Sequence, residues 1–560
     1  MSPQKLRLSN YSEYSSFTDR VQNGGDFESP AKQKELQDAI EKSTGRDIPA
    51  LEGEIRELDA TQSSVQATAL KFREIFSPNP VDHLPTEILT EIFLYVRDTT
   101  TEYTTTITEG LWPVTHVSRK WRGITVSMPQ LWTYISICAI EKPARNQLQL
   151  LNTALARSGL HPLHVDMNFA CSISGEAEHE IGESGESRVS RPDVNNIPLW
   201  PTAEQLSGAL IQAIVHHSDR WATASIDIFD TYYLRPIQCR LSSLETLAFY
   251  GEIEVESLLF SVAPKLQEVQ LLGTDSSTFQ LPWTQLVHFQ ESKIPDGTPS
   301  YDLVLHYLEI LSQCPQLEDF GVSYEGNDEV DPDPYIVHNN LKTFTCSDFY
   351  LVRCLTLPSL QDLHLQAPIM CSCCPSEMIP SAHELLTRSQ CASSLRVLQL
   401  TAVVLNHDIF DLLESTEGLR ELHFAFDNRE IPDINAFMKS LIARMNTFHE
   451  SPTPDDHLLP HLETFASNID IITSHESPTF DIQYLDETYV DMVEGRWNSS
   501  GNGVSQLRVV RFESHVPVTL SALTDRCIQR IEKIRDEGLA AYIAARTSQD
   551  WREPRKIYVK

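Results

Sequence analysis

The chain has 560 residues, 41% of them hydrophobic, and a formal net charge of −34 from 44 Lys and Arg against 78 Asp and Glu. Its length fits roughly three or four domains, or one repeat array, and its apolar content excludes disorder throughout. So acidic a chain repels phosphate, which argues against a nucleic-acid partner and against an anionic membrane surface. No apolar run reaches about 18 residues, so no transmembrane helix is predicted.

The eleven cysteines predict reduced thiols rather than a disulfide framework. Their number is odd, and they are scattered between Cys138 and Cys527 in a long chain. Residues 1–23 carry no apolar stretch behind basic residues, so no secretory signal is predicted. Both observations indicate a protein of the cytoplasm and/or the nucleus.

The N-terminal region divides into a polar tail and a helix with a seven-residue repeat. Residues 1–33 have no apolar period and are predicted to be disordered. Within 34–78, a stripe with alternating steps of four and three residues predicts a coiled-coil-like helix. Its residues are Leu51, Ile55, Leu58, Gln62, Val65, Ala69, Phe72 and Phe76. Two interpretations stay open: residues 51–76 form a homodimer, or the helix folds back on the next domain.

Residues 81–136 predict short helical elements in a fixed order. After Leu84-Pro85, an amphipathic helix carries its apolar residues on one broad face. A threonine-rich stretch, 99–108, has no period and is predicted to be a loop. The segment 112–122 follows with an Arg-x-Trp-Arg core, and the last element is Pro129-Gln-Leu-Trp132.

In this order and spacing, residues 81–136 resemble an F-box. The matching residues are Leu84, Pro85, Glu87, Ile88, Leu89, Ile92, Phe93, Val114, Val117, Arg119, Trp121, Arg122, Ile124, Pro129, Leu131 and Trp132. Ser118 stands where the family often has cysteine, and the loop after Val96 is longer than usual. With a heptad helix before it and a leucine-rich region after it, the segment looks like the large set of F-box proteins from mushroom-forming fungi.

The resemblance implies that this segment binds the Skp adaptor, which links to a cullin. The residues expected at the adaptor contact are Leu84, Pro85, Ile88, Leu89, Ile92 and Phe93. Trp121 and Trp132 are either contact or core residues, and the core is favoured for both. An exposed apolar helix face needs a partner to bury it, as in helix-in-groove recognition.

Residues 137–520 carry a degenerate repeat, Leu-x-x-Φ-x-Φ, in which Φ is an apolar residue. The first leucines of its copies are Leu244, Leu266, Leu286, Leu317, Leu341, Leu360, Leu395, Leu419, Leu462 and Leu507. The steps run from 19 (341 to 360) to 45 (462 to 507) residues, and the shorter ones fit a leucine-rich repeat. Stacked copies predict a parallel sheet with helices behind it. The alternative is an ordinary α/β domain whose strands follow leucines by chance.

Three further segments have simple interpretations. Residues 175–187 and 326–334 are acidic and aperiodic, and are predicted to be solvated loop insertions. Residues 521–560 are predicted to form a capping helix and a basic tail. The apolar residues of that helix are Leu523, Ile528, Ile531, Ile534 and Leu539.

No catalytic motif appears in the chain: no phosphate-binding glycine loop, no nucleophile elbow and no zinc-protease signature. Cys371, Cys373 and Cys374, with His383 and Cys391 nearby, are metal-ligand types but lack the paired C-x₂-C spacing. No metal, no cofactor and no catalytic residue is therefore predicted.

Together these patterns predict an α/β fold, a leucine-rich-repeat-like solenoid preceded by a small all-α F-box domain and an N-terminal heptad helix. The resemblance implies a substrate-recognition subunit of an SCF-type cullin–RING ubiquitin ligase, not itself an enzyme. The Skp adaptor and the cullin would bind through the F-box, and an unidentified substrate protein through the repeats. The alternative is a leucine-rich interaction scaffold whose F-box recruits no ligase.

Overall fold

The computed structural model describes much of the chain after residue 81 and scattered residues before it. The described residues are 31, 34–35, 38, 53, 56–65, 81, 84–99, 103–138, 146–169, 203–228, 231–251, 258–293, 300–325, 335–367, 377–404, 406–427, 431–446, 458–470, 480–499, 504–546 and 556–559. Almost all of the predicted disordered tail and both predicted acidic insertions lie outside them, and so do Cys371, Cys373 and Cys374.

The chain divides into two compact units, Met1–Leu89 and Thr90–Lys560. In the first unit, residues 56–65 of the predicted heptad helix are helical. Leu58 and Val65, two members of the predicted stripe, are exposed there. Homodimer and folded-back helix therefore both remain predictions.

Helices alternate with strands through the rest of the described chain. They are α1 (Thr86–Thr99), α2 (Leu111–Val117), α3 (Arg119–Ser127), α4 (Gln147–Arg157), α5 (Ala203–Val215), α6 (Ser300–Gln313), α7 (Phe349–Arg353), α8 (Met378–Ser389), α9 (Asp408–Ser415), α10 (Ile431–Met445), α11 (Glu487–Asn498) and α12 (Asp525–Asp536). Side-chain caps define several starts. Asp486, before α11, accepts hydrogen bonds from the N–H groups of Thr488 (2.9 Å) and Tyr489 (3.1 Å). Such caps satisfy N–H groups that lack a partner inside the helix.

The strands form one large sheet in chain order. They are β1 (Tyr134–Cys138), β2 (Leu163–Asn168), β3 (Trp221–Asp227), β4 (Thr246–Tyr250), β5 (Glu268–Leu272), β6 (His288–Ser292), β7 (Asp319–Ser323), β8 (Ile336–Val337), β9 (Thr343–Cys346), β10 (Leu355–Thr356), β11 (Asp362–Gln366), β12 (Val397–Thr401), β13 (Glu421–Asp427), β14 (Thr464–Asp470), β15 (Phe480–Asp481), β16 (Val509–Thr519), β17 (Ala540–Arg546) and β18 (Lys556–Val559). Within the described residues, sixteen strands belong to this sheet, and β8 pairs with β10 separately. Neighbours are parallel except β17 and β18, which are antiparallel.

The pairing register places the apolar positions of successive predicted repeats side by side. Leu363 of β11 lies opposite Leu398 of β12, which lies opposite Leu422 of β13. All three side chains are buried, and so are the leucines that open the ten predicted repeats. Because side chains alternate between the two faces of a strand, this register produces one continuous apolar face of the sheet.

Helices cover this apolar face. The ring of Phe437 in α10 lies 5.8 Å from that of Phe424 in β13. Tyr307 in α6 lies 6.3 Å from Phe320 in β7. Each fully buried apolar side chain of this size stabilises the fold by about 1.5–3 kcal/mol. The predicted combination of a helical segment with a large parallel sheet in an α/β fold is confirmed.

The C-terminal region differs from the prediction. The predicted capping helix is present as α12, but β17 and β18 follow it, so a helix does not end the array. β17 pairs in parallel with β16, and its Ala541 and Ile543 are buried. Alanine is depleted in strands, so the sequence Ala-Ala-Tyr-Ile-Ala-Ala at 540–545 does not predict a strand. Part of the predicted basic tail is β18, at the edge of the sheet.

Candidate functional site

Helix α1 presents apolar side chains to solvent. Ile88, Ile92 and Tyr95 are 47%, 40% and 70% exposed. Steps of four and three residues place them on one face of the helix. Just before the helix, Pro85 is exposed and Leu84 is half-buried. Ile88, Ile92 and Tyr95, here called the exposed stripe, form an apolar surface that a partner can bury.

Two other predicted contact residues on α1, Leu89 and Phe93, are buried. Phe93 packs against Trp121 of α3, with ring centroids 5.0 Å apart. In the folded chain both side chains belong to the core and are not accessible to a second protein. The other four predicted contact residues are exposed or half-buried: Leu84, Pro85, Ile88 and Ile92.

The two tryptophans predicted as contact or core residues have different environments. Trp132 is buried, and its indole N–H donates a 2.8 Å hydrogen bond to the carbonyl oxygen of Thr125. Its ring meets Trp112 edge-on, with centroids 5.0 Å apart. Trp121 is half-buried beside Phe93. Trp132 is thus a core residue, and Trp121 lies at the margin of that core.

Local hydrogen bonds define the break between α2 and α3. Ser118, where F-boxes often have cysteine, caps α3: its hydroxyl oxygen accepts a 3.2 Å hydrogen bond from the N–H of Trp121. Serine is among the preferred N-cap residues, so this departure from the family pattern suits the helix start. Arg122 then donates through Nε to the carbonyl oxygen of Thr115 in α2, at 2.8 Å, which ties the two helices together.

Arg157 of α4 joins these helices to the first part of the sheet. Its guanidinium carbon lies 4.5 Å from the ring centroid of Trp132 and 5.2 Å from that of Trp112, in cation–π contact. The backbone adds a second connection, because the N–H of Thr104 donates to the carbonyl of Ser136 in β1 at 2.8 Å. The N–H of Ser136 donates in return to Thr104 Oγ1 at 3.0 Å. These contacts hold α2, α4 and β1 in one arrangement.

The sheet contains a buried carboxyl group that was absent from the predicted sites. Glu291 of β6 lies between Leu271 of β5 and Val322 of β7, at a position that is apolar in both neighbours. Its Oε1 accepts a 3.1 Å hydrogen bond from the N–H of Ser276, and burial raises its pKa to about 7. A signal exists in the sequence: the repeat that begins at Leu286 has glutamate at a position where most other copies have an apolar residue.

Three buried cysteines are poorly suited to nucleophilic chemistry. Burial raises the pKa of the Cys314 thiol to about 12 and that of Cys391 to about 11. It also raises the pKa of Cys346. Such thiols stay protonated near neutral pH and are weak nucleophiles. Among the residues that the structure describes, no group of three or more His, Cys, Asp and Glu side chains is placed to hold a metal ion.

Comparison with known proteins identifies the helical segment. Residues 81–138 match the F-box-like family model, which confirms the predicted F-box and supports an F-box protein. No curated protein matches the chain. F-box proteins are typically adaptors rather than enzymes, and their F-boxes generally bind the Skp adaptor within SCF-type ligases. None of the helices described above is long and apolar enough to cross a membrane.

Proposed function

We propose that this protein is the substrate-recognition subunit of an SCF-type cullin–RING ubiquitin ligase. The F-box binds the Skp adaptor, which links it to the cullin, and the sheet region binds the substrate protein. The observation that carries the proposal is the exposed stripe within a segment that matches the F-box-like family. The receptor supplies no acid or base. It raises the effective concentration of a substrate lysine near the charged conjugating enzyme.

The adaptor contact is best assigned to the exposed residues of the predicted set. Ile88 and Ile92 contribute apolar area, and Tyr95 on the same helix face adds an amphipathic ring. Leu89 and Phe93 act indirectly, since they are buried and support the helix from the core. Docking of the exposed stripe in an apolar groove removes it from water, which drives the association.

We also propose that the sheet region is a leucine-rich-repeat-like solenoid. Its strands follow one another in chain order in a single sheet, and equivalent repeat positions pair in register, as Leu398 does with Leu422. In such an array each repeat buries its apolar face only against its neighbours, and one face of the sheet stays open for protein binding. The contact of Arg157 with Trp132 supports a fixed orientation of the F-box helices toward that sheet.

Three smaller assignments complete the proposal. The exposed Leu58 and Val65 support a homodimer through residues 51–76, with a helix that folds back as the alternative. The protein acts in the cytoplasm and/or the nucleus, and the odd number of cysteines scattered through a long chain is in keeping with such a reducing compartment. Its source among mushroom-forming fungi rests on the resemblance alone.

Co-purification of the tagged full chain with the Skp adaptor and the cullin tests the ligase proposal. Ile88→Asp combined with Ile92→Asp should abolish adaptor recovery, because two carboxylates cannot be buried in an apolar contact without a large desolvation cost. Leu84→Ala combined with Pro85→Ala should reduce recovery about tenfold or more, as expected for loss of contact residues at the helix start.

The matched control replaces two similarly exposed apolar side chains outside the F-box. Leu258→Asp with Val262→Asp should leave adaptor recovery unchanged, since these residues are exposed and lie outside the family match. Circular dichroism and thermal melting establish that each variant is folded. If the folded native chain recovers no adaptor, the ligase proposal is wrong and the protein is an interaction scaffold instead.

A further inference from the structure

The face of the sheet opposite its apolar face is partly exposed to solvent and largely polar. It consists of the residues at the first and third positions of strands β4–β7, β9 and β11–β14, with the fifth position of each of these strands except the four-residue β9, and is called the open face below. Its apolar members include Leu272 and Val397, and Ala425 is buried. On β11, for example, Leu363 and Leu365 are buried, whereas Asp362, His364 and Gln366 are half-exposed. The open face extends across the middle of the sheet, because every pair of neighbouring strands there is parallel and in register.

Carboxylates recur at every second strand along the first row of the open face. The row reads Glu268 (β5), His288 (β6), Asp319 (β7), Thr343 (β9), Asp362 (β11), Val397 (β12) and Glu421 (β13), each residue opposite the next. Neighbouring strands lie about 4.7–4.9 Å apart, so successive carboxylates are about 9.5 Å apart. Four negative charges thus lie on a line at even intervals.

No lysine or arginine occupies any of the described positions that make up the open face. Its carboxylates meet only neutral or weakly basic neighbours. The hydroxyl of Thr246 donates to Glu268 Oε2 at 3.3 Å, and His423 Nε2 lies 3.3 Å from Glu421 Oε2. The negative charge of the row is therefore not neutralised by cations of the open face itself.

Three cations just before the strands are paired with other carboxylates. Lys342 Nζ lies 2.7 Å from Glu318 Oε2. Arg508 and Arg420 both approach Glu463, at 3.2 Å and 3.6 Å. These pairs sit at the start of the strands and do not involve the first-row carboxylates. Arg396, directly before β12, is exposed, so a basic partner would compete with this cation at the β12 end of the row.

Asp319 carries an unused hydrogen-bond acceptor. Its Oδ1 is buried and has no hydrogen-bond partner, while its Oδ2 lies 3.8 Å from His288 Nδ1. Two residues on, a Cβ at Gly321 would lie 3.3 Å from Gln290 Cγ and 3.4 Å from Thr345 Cβ, so these two side chains already fill the space beside the glycine. Burial raises the pKa of Asp319, so a cation beside its carboxylate would stabilise the charged form.

We infer that the open face binds an extended segment of the substrate protein with a lysine or arginine at every third residue. The inference rests on the proposed function and names the substrate class. Charge complementarity favours a basic segment, and the even distances between the carboxylates favour basic side chains at the same spacing. A polyproline II segment rises about 3.1 Å per residue with three residues per turn, so every third side chain points the same way at about 9.3 Å intervals. That interval matches the spacing of the carboxylates.

Fluorescence anisotropy with the full chain and three labelled twelve-residue peptides tests the inference. One peptide carries four lysines at every third position among proline and serine, the second carries the same four lysines in one block, and the third has glutamates in the spaced positions. We expect the spaced lysine peptide to bind about tenfold tighter than the blocked one, and the glutamate peptide not to bind. Equal affinity for the two lysine peptides would overturn the inferred spacing.

Two charge-matched variants distinguish binding of the peptide at the open face from nonspecific attraction of a basic peptide to an acidic protein. Glu268→Gln, Asp319→Asn, Asp362→Asn and Glu421→Gln together should weaken the spaced peptide about tenfold or more, at roughly a factor of two per surface pair. The control neutralises four exposed carboxylates on helices and turns: Glu309→Gln, Glu384→Gln, Asp411→Asn and Glu417→Gln. It should change affinity less than about twofold. Equal losses in both variants, or no binding by the native chain, would overturn the inference.

Adaptor co-purification of the open-face variant distinguishes this inference from the proposed function. The four substitutions lie outside the F-box-like match, so the variant should recover the Skp adaptor as the native chain does. Adaptor recovery without peptide binding by the native chain would reject the basic substrate class alone. Peptide binding without adaptor recovery would reject the ligase function and leave a scaffold that binds basic segments.

Discussion

In the F-box-like segment, helix α1 carries apolar side chains on both its buried and its exposed side, whereas in the sheet one face is apolar and the other is largely polar. Ile92 is 40% exposed beside the buried Phe93, but on β11 the half-exposed residues that flank Leu363 are polar. An apolar stripe in water needs a permanent or frequent partner, while a polar face can remain solvated until a charged partner arrives. Under the proposed function, the adaptor contact depends on buried apolar area and the substrate contact depends on the pattern of charge.

The largest effect should follow from removing the ring that joins the two regions. Trp132→Ala deletes the contacts with Trp112 and Arg157, and should cost about 3–5 kcal/mol in local stability. We expect faster amide hydrogen exchange in α2 and α3 but unchanged exchange in β11–β13, because these strands lie many strands away from β1 in the sheet. Exchange detected by mass spectrometry measures both regions in one experiment.

A sheet variant provides the reciprocal control. Leu398→Ala removes a fully buried side chain from β12 and should cost about 2–5 kcal/mol. Its exchange should increase in β11 and β13 and stay unchanged in α2 and α3. If either variant accelerates exchange in both regions equally, the F-box helices and the sheet unfold as one unit and the contrast between them fails.

A somewhat smaller effect is expected from pH within the sheet. Burial raises the pKa of Glu291 from 4.5 to about 7. A carboxyl group whose pKa is raised by folding contributes its full stability below about pH 4.5 and loses it as the pH rises through about 7. The free energy of unfolding of the native chain should therefore fall by up to about 3 kcal/mol as the pH rises, and Glu291→Gln should remove most of this fall. Urea unfolding from about pH 5 to pH 8 measures this slope.

Neighbouring groups define the control for this pH effect. Asp275, Lys293 and His306 all influence Glu291 or the Ser276 turn that it binds. Glu384→Gln, an exposed substitution on α8 that is not among the groups acting on Glu291 or His306, should leave the slope intact. A decline that persists in Glu291→Gln would contradict the assignment to Glu291, because the lowered pKa values of His306 and Asp275 make stability rise rather than fall with pH.

The smallest effect concerns an ion-pair network between the last two helices. Arg530 of α12 contacts Glu494 (2.6 Å), Asp491 (2.6 Å) and Glu487 (2.8 Å) of α11, and hydrogen bonds to Glu494 and Asp491 raise its pKa. Arg530→Met should cost about 1 kcal/mol or less, because the network is partly exposed to solvent. Urea unfolding at low salt and at about 1 M salt should show the loss shrinking as charges are screened.

Arg526 offers a matched arginine with weaker contacts. It is largely exposed and lies 3.8 Å from Glu487, so Arg526→Met should change stability by less than about 0.5 kcal/mol. A loss in Arg530→Met that does not depend on salt would contradict the screened ion-pair explanation of the stabilisation.

Much of the F-box-like segment was predictable because its signals are local. The Leu84-Pro85 start and the Arg-Lys-Trp-Arg core at 119–122 report helix boundaries and helix faces over a few residues. The two apolar positions that follow the first leucine of each repeat, such as Leu363 and Leu365, were predictable for a related reason: a short strand shows its buried side through a period of two. Both kinds of signal depend on chain geometry that does not require knowledge of distant residues.

Other features required tertiary contacts. No period distinguishes Ile92, which is exposed, from Phe93, which packs on Trp121, because both lie on the broad apolar side of α1. The strand β17 was missed because alanine favours other structures, and its burial comes from pairing with β16. Glu291 interrupts the apolar pattern of its repeat, which is visible in the sequence, but its raised pKa depends on the packing around it.

The sequence by itself determined the order of the helical elements, the leucine positions and the absence of a recognisable catalytic motif, since each follows from local period and spacing. Only the tertiary structure decided which apolar residues of α1 reach solvent and which carboxylates form a row. Residues from Glu268 to Glu421 are far apart in the chain, and strand pairing alone brings them to regular intervals. Charge pattern across a sheet is a property of register, and register is set by long-range burial rather than by any single strand.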